Sequence, residues 1–201
     1  MNKTVLLATR NRHKQKELQD MLADLDIRVM SLADVPALPE VEEDGETFAE
    51  NAAKKARVTA ESSGEICLAD DSGLVVDALD GRPGVYSARF AGPGASDEEN
   101  NALLLQMLRE VPEEKRGARF VCVIAIAVPR GKLYLVEGTC PGKIGFVPGG
   151  AGGFGYDPLF IPQGYRQSFA ELGDGVKNTI SHRARALARA RPLLQELLYH
   201  L

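Results

Sequence analysis

Asp70 and Asp71 stand side by side in Ile66-Cys67-Leu68-Ala69-Asp70-Asp71-Ser72-Gly73-Leu74-Val75-Val76-Asp77, where an apolar run stops at two carboxylates, a hydroxyl and a glycine and then resumes. A buried strand that empties into Asp-Asp-Ser-Gly carries charge to a sheet edge, where side chains reach a ligand or a metal. Taken alone, the same residues describe a surface turn, because Asp, Ser and Gly all favour turns. Two further groups tip the reading towards a site. Thr9-Arg10-Asn11-Arg12-His13-Lys14 lies between a short apolar run and a helical pattern. A polar turn in that position aims free backbone N–H groups and a helix N-terminus at an anion, and Lys14 adds a full positive charge. By residue type alone it is equally a solvated turn, and it is no Walker A loop, since the glycines of that motif are missing. The acidic loop Pro36, Pro39, Glu40, Glu42, Glu43, Asp44, Gly45 is by default solvated. Its carboxylates can also supply a ligand to a hard cation.

These groups need elements to hold them. Val5-Leu6-Leu7-Ala8 reads as a buried strand, and Leu18, Met21, Leu22 and Leu25 then repeat at helical spacing. A second short strand is expected near Ile27–Met30. Thr47 opens a helix whose buried face carries Phe48, Ala52 and Ala56, which leaves Glu50, Asn51, Lys54 and Lys55 for other faces, and Gly64 closes it. Gly81 to Phe90 is an ordered loop punctuated by Gly and Pro. Ser96-Asp97-Glu98-Glu99 is a capping box ahead of a helix buried through Leu104, Met107 and Leu108. Phe120–Val128 is an apolar β run that Pro129-Arg130-Gly131-Lys132 turns back into Leu133–Thr139, a hairpin.

Pro148-Gly149-Gly150-Ala151-Gly152-Gly153-Phe154-Gly155-Tyr156-Asp157-Pro158 is rich in glycine. No strand precedes it tightly and no amphipathic helix follows, so it is no dinucleotide fingerprint. A loop presenting Phe154 or Tyr156 as a stacking platform and a plain linker both fit it. Ser168 caps a short helix, Asp174 a second one carrying Lys177, and Ser181 the last, with His182 and Arg183 in its first turn. Read without further context, His182 is a surface histidine, and Arg185, Arg189 and Arg191 form a solvated helix face. Pro192 kinks or restarts that helix.

The formal net charge of −4 argues against a polynucleotide partner, which calls for a basic face. Met1–Ala8 is too short and too weakly charged for a signal peptide or a membrane span. Cys67, Cys122 and Cys140 lack paired metal-ligand spacing, the usage of buried reduced thiols in a cytosolic protein. There is no internal repeat and no linker long enough to make independent domains, so residues 1–201 are expected to form one domain.

Five segments together resemble the inosine triphosphate pyrophosphatase family, also called HAM1-like. They are Thr9-x-Asn11-x-x-Lys14, Glu43 ahead of Thr47-Phe48-x-Glu50-Asn51-Ala52, Ala69-Asp70-Asp71-Ser72-Gly73-Leu74, Phe154-Gly155-Tyr156-Asp157-Pro158 and Ser181-His182-Arg183. Each is weak alone; in this order, from residue 4 to about residue 190, they are specific. The resemblance implies an elongated α/β protein of two lobes, with a long, mixed, twisted sheet flanked by helices and an active-site cleft between the lobes. It implies a cytosolic homodimer that uses Mg²⁺ to hydrolyse dITP, ITP and XTP to the monophosphate and pyrophosphate, with neither nucleic acid nor membrane as a partner. Where many relatives have glycines in the first loop, this chain has Arg10 and His13.

By the same resemblance Glu43 and Asp71 ligate the metal, and the sequence does not choose between Glu43 and its neighbour Glu42. Asp71 accepts the proton of the attacking water, with Asp70 tuning it. Thr9, Arg10, Asn11, Arg12, His13 and Lys14 hold the triphosphate, Lys14 assisting catalysis, with Lys55 a further phosphate contact. Ser72 meets the phosphates or the sugar. Phe154 stacks on the purine, Gly155, Tyr156 and Asp157 shape its pocket, and Lys177, His182 and Arg183 donate hydrogen bonds to the base. Two other readings compete: a Maf-like pyrophosphatase of modified pyrimidine nucleotides, and a regulator that holds a purine nucleotide without turning it over.

Overall fold

The computed structural model describes residues 3–35 and 38–199; Pro36, expected in the acidic loop, lies outside them. Six strands form one mixed sheet in the order β2-β1-β3-β4-β5-β6. They are β1 (Thr4–Leu7), β2 (Arg28–Ser31), β3 (Ile66–Val76), β4 (Gly117–Ala127), β5 (Leu133–Ile144) and β6 (Phe160–Pro162). β1 pairs in parallel with β2 and β3, while β6 pairs antiparallel with β5. The helices are α1 (Arg12–Leu22), α2 (Phe48–Ser63), α3 (Asp97–Met107), α4 (Phe169–Ile180) and α5 (His182–Tyr199). The chain divides into two compact units. The first takes residues up to 71, 122–138 and those from 184; the second takes 72–121 and 139–183.

In the first unit both faces of the strands are buried, and strand alternation sorts the side chains. Val5, Leu7, Leu68, Cys122, Ile124 and Ile126 pack with Leu18 and Leu22 of α1 and with Ala186, Leu187 and Leu194 of α5. Their neighbours Cys67, Ala69, Val123, Ala125 and Ala127 turn the other way, onto Ala52, Ala56 and Ala60 of α2. Alanines on both sides let that helix lie close to the strands. Thr47 and Glu50 form its capping box and Gly64 its C-cap. In the second unit, Leu74, Val76, Phe120, Phe160 and Phe169 pack with Leu104 and Leu108 at the α3 end. The Phe120 ring lies 4.6 Å from Phe160 and 6.1 Å from Phe169.

The main departure from expectation concerns the acidic stretch. β3 neither ends nor turns at Asp70-Asp71-Ser72-Gly73; it runs unbroken from Ile66 to Val76, between β1 and β4 rather than at a sheet edge. Its flanking apolar runs, read as a strand and its sequel, are one strand. β2 begins one residue later than expected, and Leu25 falls beyond the end of α1. The short strand β6, too brief to show a period, went unread. The expected hairpin forms, with Val128 N–H donating to the Lys132 carbonyl. Gly173, with a non-helical backbone, breaks α4, so the non-helical residue ahead of its second part is Gly173 rather than the expected cap Asp174. α5 passes through Pro192 without restarting. Its arginines are not merely solvated: Arg191 pairs with Asp24 and donates to the Met21 carbonyl, and Arg189 donates to that of Glu137.

Candidate active site

In the first unit the strand pleat decides what Asp70 and Asp71 touch. Consecutive side chains leave a strand on opposite faces, so two adjacent carboxylates acquire different partners. Asp70 meets α1, where Lys14 Nζ lies 3.2 Å from its Oδ2. Asp71 meets α2: Asn51 Nδ2 donates to its Oδ2 at 3.0 Å, and Lys55 Nζ lies 4.0 Å from its Oδ1. Among charges, Lys55, Lys14 and Glu43 act on Asp71, the first two stabilising its ionised form and the third opposing it.

Lys55 links the parts of this unit's site. Its ammonium donates to Glu43 Oε1 at 2.8 Å and to the Asp70 carbonyl at 2.7 Å. Burial pulls its pKa down, but the attraction of Asp70, Glu43 and Asp71 outweighs that and holds it above the usual lysine value. Asp71 goes the other way: burial pushes its carboxyl above the ordinary range more than Lys55 and Lys14 pull it back. Asn51 fastens the acidic loop as well, its Oδ1 accepting from Gly45 N–H at 2.8 Å. Asn51 and Lys55, which lie off the apolar face of α2, are both buried. Their signal was present: they are four apart on the edge of the alanine stripe, where polar side chains that enter must find polar partners.

The first loop is built on Asn11, which caps α1 by accepting from His13 N–H at 3.0 Å and Lys14 N–H at 3.1 Å. Those two donors, expected to face an anion, are thereby engaged in this structure. Thr9 Oγ1 accepts from Asn11 N–H, and the side chains of Arg10, Arg12 and His13 stand exposed around the cap.

Two carboxylates converge on one point here. Glu43 Oε1 and Asp71 Oδ1 lie 2.8 and 4.0 Å from the same ammonium. Mg²⁺ takes one or two carboxylates and completes its shell with phosphate oxygens and water. No group of three His, Cys, Asp or Glu able to hold a metal occurs among the described residues. The donor set fits Mg²⁺, and half-buried Glu43 is better placed than exposed Glu42.

The second unit gathers the remaining candidates around Phe154. Asp157 is buried and does three things: its Oδ2 accepts from Phe154 N–H at 3.0 Å, takes a 2.6 Å ion pair from Lys177, and packs against Gly153. A Cβ on Gly153 would fall 2.2 Å from that oxygen, so glycine is required there. Lys177 Nζ sits 4.3 Å from the Phe154 ring centroid and the Arg183 guanidinium 5.9 Å from it. Arg183 is buried and donates to Ser72 Oγ at 2.8 Å. His182, read as a surface residue when taken alone, is buried and stacks on Phe120 with centroids 4.6 Å apart and rings 12° from parallel.

Tyr156 is the candidate the structure reassigns. Its ring belongs to the core around Phe120 and Phe160, and its hydroxyl donates to the Ser87 carbonyl at 2.9 Å. Burial pushes its pKa above the ordinary tyrosine value. The half-buried Phe154 ring lies outside that core cluster. Lys177 likewise contributes through Asp157 and Phe154, with its ammonium already ion-paired.

The sequence model of the Ham1 family matches residues 5–193. The chain is 54% identical over 196 residues to a dITP/XTP pyrophosphatase of Desulforamulus reducens, covering 98% of each chain. It is 55% identical over 184 residues to the dITP/XTP pyrophosphatase of Geobacter sulfurreducens, covering 92% of each. Among solved structures, a HAM1 protein from Coxiella burnetii superposes with a TM-score of 0.88 at 39% identity, over 98% of this chain and 100% of that one.

Proposed function

The chain belongs to the Ham1 family, and from that premise we propose that it hydrolyses dITP, ITP and XTP at the α–β bond, releasing the monophosphate and pyrophosphate and so removing these purines from the nucleotide pool. The observation that carries this reading is the meeting of Glu43, Asp70 and Asp71 with Lys14 and Lys55 in one unit. A nucleoside triphosphate carries about four negative charges, so its hydrolysis needs charge neutralisation and an activated water. A protein that only bound the polyanion would gain nothing from buried carboxylates beside the ammonium groups.

In this reading Lys14, Lys55 and the loop Thr9–His13 hold the triphosphate. Glu43 and Asp71 hold Mg²⁺, which when bound supplies positive charge against the phosphate oxygens. Asp71 accepts the proton of the attacking water. Phe154 stacks on the purine, while His182 and Arg183 donate towards the 6-carbonyl that hypoxanthine and xanthine carry where adenine carries an amino group. Ser72 orients Arg183 through the bond between them. The resemblance also supports a homodimer in the cytosol as the working state.

Phosphorus NMR of the products from ITP, XTP, dUTP, GTP and ATP tests the reading. Pyrophosphate is expected from ITP and XTP, with ATP slower by about 10²–10⁴-fold because two donors would face its amino group. Orthophosphate appearing first, or ATP turned over as fast as ITP, overturns it. A preference for dUTP assigns the chain to pyrimidine nucleotides instead.

A further inference from the structure

Asp97 and Asn101, on the first turns of α3, belong to none of the groups described so far, yet both grip the loop that carries Phe154. Gly155 N–H donates to Asp97 Oδ2 at 2.6 Å, and Asn101 Nδ2 donates to the Gly155 carbonyl at 2.8 Å. Both polar groups of one peptide residue are therefore held by side chains four apart on a helix. Gly155 lies in the left-handed region at φ 60°, a conformation that a free loop would leave readily. On the other side of Phe154, its own N–H is held by Asp157.

The Asn101 amide bears this out. It is buried, its NH₂ faces Gly155, and its Oδ1 has no hydrogen-bond partner among the described residues. An apolar residue would avoid that unsatisfied acceptor, so the side chain is retained for the donor it offers the loop. The capping box of Ser96 and Glu99 fixes the helix end, so Asp97 and Asn101 are presented from a rigid element rather than from another loop.

We infer that Asp97 and Asn101 are positioning residues for base selection, locking Gly155 so that the Phe154 ring is held in one orientation for stacking. This rests on the proposed purine pyrophosphatase activity. Neither residue touches the substrate; they act by removing the freedom of the ring. A base held on a fixed ring meets its donors in register, and a mobile ring blurs the difference between a carbonyl and an amino group.

The test is the ratio of kcat/KM for ITP to that for ATP in Asp97→Ala, Asp97→Asn and Asn101→Asp, with amide hydrogen exchange at Gly155 as a second readout. Asp97→Ala removes the acceptor from an exposed helix position, and Asn101→Asp replaces the donor with a repelling oxygen at the same size. Each is expected to narrow the ratio about tenfold, through KM for ITP more than through kcat, and to speed exchange at Gly155. Asp97→Asn keeps an acceptor and should restore both readouts to wild-type values. A folded Asp97→Ala protein with the wild-type ratio overturns the inference, as does Asp97→Asn behaving like Asp97→Ala. If the wild-type protein itself shows no preference for ITP, the proposed function fails instead.

Discussion

Lys55 and Lys177 are both buried lysines on helices, and each contacts a carboxylate, yet their surroundings differ. Lys177 and Asp157 form a buried ion pair at 2.6 Å, with side chains 3% and 2% exposed and an aromatic face beside the ammonium. Lys55 instead lies among three carboxylates, Glu43, Asp70 and Asp71, with Lys14 paired to one of them. Its partner Glu43 keeps 37% of its side chain in solvent. A dry pair of this kind holds a shape, here the loop between Gly153 and Asp157. A cluster of several carboxylates and ammonium groups that reaches solvent through Glu43 is accessible to a cation and, with it, a polyanion. The comparison teaches that burial of charge does not by itself identify a reactive site; access matters as well.

The largest expected effect comes from Asp71→Asn, which removes the basic oxygen without changing size. Turnover of ITP should fall by about 10²-fold or more. Stability should change in the other direction. Burial raises the Asp71 pKa in the folded protein, so ionising it above the ordinary value of 3.8 works against folding, and below that value the effect vanishes. The Asn variant should therefore melt higher than wild type at neutral pH without added metal, and the gap should close as pH falls towards 3.8. A variant with near-normal turnover, or one melting lower at neutral pH, erases the contrast between the two clusters.

Lys177→Met tests the other side. Breaking a buried pair costs about 3–5 kcal/mol because it strands the partner's charge. For a chain of this size that is a fall in Tm of roughly 6–20 °C by thermal denaturation. Adding Asp157→Leu should recover part of it, and only part, because the Phe154 N–H then loses its acceptor. A single variant within about 1 °C of wild type would show that the pair is not what holds this loop.

The smallest effect sharpens the boundary of the open cluster. Glu43→Gln should raise the Mg²⁺ concentration needed for half-maximal activity about tenfold. Glu42→Gln, at an exposed neighbouring position, should leave it within about twofold. Equal shifts for the two variants in a magnesium titration would refute the distinction that the structure draws between them.

Residue types and local spacing determined much of this protein. The caps at Thr47, Ser96 and Ser168 are written in four-residue patterns whose hydrogen bonds close within one turn, and all three form as read. So does the hairpin at Val128–Lys132, since it depends on neighbours in the chain. The candidate residues were also legible as residues, because carboxylates, ammonium groups and an aromatic in a glycine loop declare their chemistry. What tertiary structure alone decided is which of them meet. Asp70 and Asp71 look equivalent in sequence, and only burial of both faces of β3 makes one the partner of Lys14 and the other the partner of Asn51 and Lys55. Tyr156 and Phe154 look equally fit to stack on a base until packing takes one ring into the core. Asp97 and Asn101 read as ordinary helix residues because the glycine they hold lies more than fifty positions away. Contacts of that range are set by how strands and helices pack, and no local pattern in the chain encodes them.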